Sequence, residues 1–171
     1  GLGPIGLLIV EALRAAGASK IYAVELSPER QAKAEELGAI VVRPEEGETV
    51  VEAIHRLTGG GADVSYEVTG VPVVLGQALA AVHKAGECMV VSIWEREASI
   101  NPNEFAIQEK SLKGIIAYRH IFPKVLELME QGYFPADKLV TKKIKLENIV
   151  EEGFVELTQD KSQIKILVQP E

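Results

Sequence analysis

A chain of 171 residues, 47% apolar and 25% charged, has the balance of one substantial folded domain with at most an appended piece, which argues against disorder. Its formal net charge of −7 disfavours a nucleic-acid scaffold, which needs a basic surface. No apolar run approaches the ~20 residues that span a bilayer, no signal-peptide pattern is present, and the single cysteine, Cys88, cannot form an internal disulfide, which together fit a reducing cytoplasm and no membrane partner.

The chain opens on GLGPIG, with glycines at positions 1, 3 and 6. Behind them Ile5, Leu8, Ile9 and Ala12 recur at helical spacing, and Pro4 suits the first turn, where a missing N–H costs nothing. KIYAVEL is a short β-rich run closed by an acid, Glu25. The next stretch predicts a helix with Ser27 as N-cap, Pro28 in its first turn and Gly38 as terminator.

Alternation continues with a short strand at Ile40 to Val42 and an amphipathic helix over ETVVEAIHRLT, ended by Gly59, Gly60 and Gly61. DVSYEVTG reads as a strand, PVVLGQALAAVHKAG as a helix carrying His83, ECMVVSIW as a strand, and Leu112 to Ala117 as a last strand at a sheet edge. Strands alternating with helices predict an α/β fold, a Rossmann-like doubly wound parallel sheet covered on both faces. Such a fold uses about six strands with the one before the glycine loop at its centre. This sequence offers five, so it reads as incomplete at its N-terminus.

After Tyr118 the character changes. HIFPKVLELMEQGYF predicts a helix entered at Pro123, LVTKKIKL a polar-alternating strand and KILV a final strand. Between those strands NIVEEGFVELTQ predicts a helix with Ile149, Val150, Gly153, Phe154 and Leu157 on one stripe. The expected division is a cofactor-binding domain over residues 1–134 and a separate αβ segment over residues 135–171.

Three features raise the glycine spacing above a chance turn. A helix starts inside it, so backbone N–H groups and the positive dipole end can face a pyrophosphate. A strand follows, and that strand ends in Glu25, placed where a ribose hydroxyl acceptor is expected. A carboxylate there accepts from both ribose hydroxyls and repels a 2′-phosphate, so NAD is the expected cofactor. Arg30 is compatible with covering the ribose, gripping a phosphate or simply being a solvated helix charge. Ligands of such sheets sit beyond the strands' carboxyl ends, which selects Thr69 and Gly70, then Ser92, Ile93 and Trp94, then Tyr118 and Arg119. Cys88 reads as a core thiol, His55 and His83 as surface or boundary residues on helices, and His120 as either near the cleft or at a helix start. The pairs Glu35/Glu36 and Glu151/Glu152 read as solvent-facing, and no cysteine and histidine spacing makes a zinc site.

GLGPIGLL, VELSPERQAKAEELGA, DVSYEVTG, VVSIWE, KGIIAYRHIFP and LVTKKIKLENIVEEGFVEL occur in the order of a known family, and the chain resembles over essentially its whole length the zinc-containing medium-chain alcohol dehydrogenases, within them the 2,3-butanediol and polyol dehydrogenase branch. The resemblance implies that Gly1, Gly3 and Gly6, with Pro4 and Ile5 between, form the pyrophosphate loop. It places Glu25 as the ribose acid, Arg30 beside the ribose, and Thr69 and Gly70 near the adenosine side. Ser92 and Ile93 then pass the nicotinamide, as does the backbone from Ile115 to Ala117, and Tyr118 falls at the position of an active-site tyrosine. It further implies that zinc and its ligands belong to an upstream catalytic domain, that no catalytic or metal residue lies in this chain beyond Tyr118 as a lining residue, and that residues 135–171 return to that domain. The expected substrate is a small secondary alcohol or vicinal diol, with L-threonine 3-dehydrogenase and sorbitol dehydrogenase as alternative activities, and the expected assembly is a homo-oligomer, dimer or tetramer, pairing at the edge strand. Outside this class, a free NAD-sensing module and a methyltransferase share a glycine-rich loop followed by an acid. The C-terminal segment argues against the first, and the complete loop with the later strand motifs argues against the second.

Overall fold

The computed structural model describes residues 1–170. In chain order these form α1 (Pro4–Ala15), β1 (Tyr22–Ala23), α2 (Pro28–Glu36), β2 (Ile40–Val41), α3 (Val50–Thr58), β3 (Ala62–Glu67), α4 (Pro72–Ala81), β4 (Val82–Val90), α5 (Asn103–Ala106), β5 (Ser111–Gly114) and α6 (Phe122–Glu130). There follow α7 (Ala136–Leu139), β6 (Val140–Lys145), a 3₁₀ turn (Leu146–Asn148), a π-helix (Ile149–Val155), α8 (Glu156–Gln159) and β7 (Lys165–Gln169). Two compact units result: Leu2–Val41 with the segment from Arg119 onward, and Val42–Tyr118 with Gly1.

In the first unit α2 begins as its sequence requires. Ser27 accepts a hydrogen bond from the Arg30 N–H at 3.4 Å, Pro28 fills the first turn, and Gly38 leaves the helix at a φ of +90°. β1 and β2 pair in parallel, Tyr22 opposite Ile40 and Ala23 opposite Val41. Leu7 and Val10 of α1, Ile21, Ala23, Ala34 and Leu37 share one core with Leu139 and Ile164 from the C-terminal segment. The face of α1 that enters this core is Gly6, Leu7, Val10 and Glu11, not the Ile5, Leu8, Ile9 and Ala12 row. An apolar run as continuous as IGLLIV carries two helical stripes, and here Ile5 and Leu8 stay exposed.

The C-terminal strands of this unit, β6 and β7, pair in parallel. The helix expected between them is a π-helix for most of its length, continued by the short α8. Wide turns rotate the expected stripe away: Gly153 is buried against Ile144, while Val150, Phe154 and Leu157 are exposed.

The second unit holds a three-stranded parallel sheet in the order β3-β4-β5. Leu75 and Leu79 of α4 pack with Cys88 of β4, and Ala78, Val90, Trp94, Phe105 and Leu112 close around them. The βα alternation thus produces parallel sheets throughout, with the doubly wound sheet present as two separate pieces. Two boundaries differ from expectation. α4 stops at Ala81, and Val82 to Val90 is one strand, so His83 lies on a strand. β4 bulges there between its pairings Ala62 with Val82 and Val64 with Glu87, with Ala85 at a φ of +64°. β5 sits at an edge as expected but ends at Gly114, and Ala117 and His120 beyond it are left-handed. Among the described residues no helix is long and apolar enough to cross a membrane.

Candidate cofactor-binding site

Within the first unit, α1 starts at Gly3, which has a φ of −64° and no side chain to cap the helix. Its first turn holds no acid, whereas α2 and α3 are capped by Ser27 and Thr49 and carry Glu29 and Glu52 in their first turns. An uncapped 12-residue helix leaves its leading N–H groups and its positive dipole end to an outside anion. Pro4 and Ile5 are exposed at this start and Gly6 is buried on the core side.

Glu25, just past β1, turns its carboxylate back onto the loop. Oε2 accepts the Leu2 N–H at 2.8 Å, and Oε1 accepts the N–H groups of Leu26 at 2.8 Å and Ser27 at 3.1 Å. Partial burial pushes its pKa up. The hydrogen bonds from Leu2, Ser27 and Leu26, with the Arg30 charge nearby, outweigh that and hold the carboxyl below its usual range. Three N–H donors use three of about four acceptor positions on a carboxylate, leaving capacity for a hydroxyl donor. A Gln31 side-chain N–H donates to the Glu25 carbonyl at 2.7 Å and fixes its backbone. These residues fit the adenosine and pyrophosphate end of a dinucleotide.

Within the second unit, Thr69, Gly70, Ser92 and Ile93 meet at the carboxyl ends of β3 and β4. Gly70 has a φ of +69°, and a Cβ placed on it would lie 2.9 Å from the Ile93 carbonyl oxygen. Gly1 also belongs here: a Cβ on it would lie 2.7 Å from Thr69 Cγ2. Ile93 is 85% exposed, and Ile115, whose N–H still donates to Val90 at 3.2 Å, leads to exposed Ala117 and Tyr118.

Two glutamates that the sequence reading passed over are fully enclosed. Glu67 ends β3 at 0% exposure and accepts from Thr69, Gly70 and Ser92. Glu11 binds the Arg14 guanidinium at 2.8 Å and the Phe134 N–H at 3.2 Å, holding α1 against the turn before α7. For Glu67 a signal existed, an acid inside a β-rich run with donor-bearing Thr69 and Gly70 behind it. For Glu11 none did, since its backbone partner lies 123 positions away.

The other titratable groups are placed as follows. Cys88 is buried and free. The His55 ring nitrogen Nε2 lies 2.9 Å from the Ala80 carbonyl, and His120 is exposed in the turn before α6. Among the described residues no three His, Cys, Asp or Glu side chains gather where they could hold a metal ion.

Residues 4–131 match the family described as zinc-binding dehydrogenase. Over 170 residues the sequence is 64% identical to (R,R)-butanediol dehydrogenase of Bacillus subtilis, an alignment covering 99% of this chain and 49% of that protein. The crystal structure of 2R,3R-butanediol dehydrogenase from Bacillus subtilis matches with a TM-score of 0.96 and 63% identity, over 100% of this chain and 49% of that one. A Sinorhizobium meliloti structure of this type, solved bound to NADP, matches with a TM-score of 0.89 and 25% identity, over 99% of this chain and 51% of that one. The chain spans about half the length of the curated relatives it matches.

Proposed function

We propose that this chain, which belongs to the zinc-binding dehydrogenase family, is the cofactor-binding part of an oxidoreductase that exchanges hydride between NAD and a secondary alcohol or vicinal diol of the 2,3-butanediol and acetoin type. The observation that carries the cofactor assignment is the Glu25 carboxylate joined to the Leu2 N–H inside the glycine loop, beside an uncapped helix start. In this reading Gly1, Gly3, Pro4, Ile5 and Gly6 receive the pyrophosphate and Glu25 accepts from the adenosine ribose, with Arg30 alongside. Thr69, Gly70, Ser92, Ile93, Ile115 and Ala117 provide further cofactor contacts, and Tyr118 lines the substrate side. The bound nicotinamide supplies the hydride acceptor; the chain's residues orient it and exclude water. The substrate assignment is supported by the identity to a butanediol dehydrogenase.

The same reading takes residues 1–134 as the cofactor domain and 135–171 as a segment of a catalytic domain that carries the zinc. It takes the assembly as a homo-oligomer in a reducing cytoplasm, paired along the β5 edge, where Ile107 and Ile116 are exposed apolar groups. Phe105, in contrast, packs into the α4 and β4 core and is not free for such a contact.

The test is cofactor choice, measured as NADH and NADPH fluorescence titrations of the chain and its Glu25→Ser variant. A 2′-phosphate against a half-buried carboxylate loses about 1–3 kcal/mol, roughly 5- to 150-fold. The parent should prefer NADH by that factor and the variant should narrow it. Equal affinity for both in the parent removes Glu25 from the ribose site.

A further inference from the structure

Glu67 is a buried ionised group that the cofactor reading leaves without a role. Burial pushes its pKa up, but the Ser92 and Thr69 hydroxyls and the Thr69 and Gly70 N–H groups outweigh this and hold the carboxyl below its usual range. Oε1 accepts the Thr69 N–H at 2.6 Å, the Thr69 hydroxyl at 2.5 Å and the Gly70 N–H at 3.2 Å. Oε2 accepts the Ser92 hydroxyl and a longer contact from the Gly70 N–H at 3.3 Å. The main chain of the same residue does the rest. The Glu67 carbonyl accepts the N–H groups of Val91 at 2.9 Å and Ser92 at 3.3 Å. The Val71 N–H turns onto Thr69 Oγ1 at 3.2 Å. The N–H groups of residues 69 to 71 and 91 to 92, and two hydroxyl protons besides, are thereby all engaged within the protein.

We propose that Glu67 is a positioning residue whose buried carboxylate locks the turns at 69–71 and 91–92 into one surface in which the N–H groups of those residues are engaged within the protein and withheld from a bound molecule. Such a surface takes uncharged, hydrogen-bond-donating groups and turns phosphate away. It is the opposite of the α1 start, where uncapped N–H groups lie free of any first-turn acid. The assignment of a dinucleotide as the bound molecule rests on the function proposed above; the lock itself does not. Replacing the carboxylate by an amide breaks it chemically, because the amide NH₂ must face donors that need an acceptor.

The test uses the 171-residue chain, ¹⁵N-labelled, as parent, Glu67→Gln and Ser92→Ala. In the parent the Thr69 and Gly70 amides should exchange slowly, and inorganic pyrophosphate should shift Ile5 and Gly6 amides but not those two. In Glu67→Gln their exchange should quicken about 10-fold or more while Ser65 within β3 keeps its protection. Pyrophosphate should then begin to shift Thr69 and Gly70, a gain that general loosening of the fold does not give. NADH affinity should fall about 10-fold, and the urea midpoint should fall with it because buried donors lose their acceptor. Should Glu67→Gln not fold, Ser92→Ala removes one donor and leaves the carboxylate, and faster Gly70 exchange there supports the lock equally. Unprotected Thr69 and Gly70 amides in the parent, or pyrophosphate shifts at those amides in the parent, overturn the proposal. Failure of the parent to bind NADH with the exchange pattern intact sinks the cofactor reading instead and leaves the lock standing.

Discussion

Gly3→Asp separates binding from folding. The helix start at Gly3 has no capping side chain, its backbone is at a φ of −64°, and nothing lies within 4 Å of a Cβ placed there. A carboxylate is therefore sterically free to cap α1 and to meet the positive end of its dipole. Asp in place of Gly at an N-cap adds a few tenths of a kcal/mol, and the dipole term adds about 0.3–1 kcal/mol. With a urea slope of roughly 1–3 kcal/mol per molar, the unfolding midpoint should rise by about 0.2–1.3 M. The same charge opposes a pyrophosphate at the helix start. At ~5 Å and an effective dielectric of ~20 the repulsion is about 3 kcal/mol, or roughly 100-fold in affinity. Paired measurements of urea unfolding and NADH fluorescence titration should thus move in opposite directions, with Gly3→Asn capping equally but costing less affinity. NADH affinity unchanged within about 3-fold at a raised midpoint would refute the placing of the pyrophosphate at this helix. A fall in both quantities would refute the claim that the helix start is open.

Stability should depend on acid in a stated direction. Glu25 and Glu67 both have folded pKa values below the ordinary 4.5, so their contribution is complete above that value and is lost as pH falls through the lowered ones, read as a urea midpoint that drops below about pH 4.5. Gly61→Ala should cost about 2–3 kcal/mol in unfolding free energy, because at a φ of +126° its Cβ collides with the His83 backbone N and lies 2.8 Å from His83 Cα. Gly17→Ala, left-handed at +84° but with open space around it, should cost only about 1 kcal/mol. The chain given zinc, NAD and 2,3-butanediol should produce no NADH absorbance and retain no stoichiometric zinc by elemental analysis, since no metal-holding group exists among the described residues.

Much of the fold was legible because its punctuation is local. Ser27, Pro28 and Gly38 bracket α2, and left-handed Gly59 ends α3; the structure adds a reciprocal capping box of Thr49 with Glu52 at the start of α3, which the sequence reading passed over. Where punctuation was absent or tertiary, the reading failed. Nothing between Leu79 and Lys84 marks the end of α4, and Val82 leaves the helix because its backbone pairs with Ala62, a partner the sequence does not point to. Gly153 in turn let the segment pack closely on Ile144 as a π-helix, which the 3.6-residue template cannot register.

The site divides along the same line, and its two strand-end glutamates make the reason visible. Glu25-Leu26-Ser27 and Glu67-Val68-Thr69 share one local device, a carboxylate that turns back to accept the N–H two residues on, at 3.1 Å and 2.6 Å respectively. Local sequence therefore encodes the turn equally well in both. What it does not encode is the third partner. Glu25 takes the N–H of Leu2, 23 positions earlier, and stays half-buried at the glycine loop, with acceptor capacity to spare for a ligand. Glu67 takes the hydroxyl of Ser92, 25 positions later, and is closed off completely. The glycine spacing ahead of Glu25 supplied the missing long-range information for the first, so an acid at that place could be assigned to a ribose. Ser92 carried no comparable motif, so the second acid had no reading until the register of β3 on β4, with Glu67 opposite Val90, brought the hydroxyl to it.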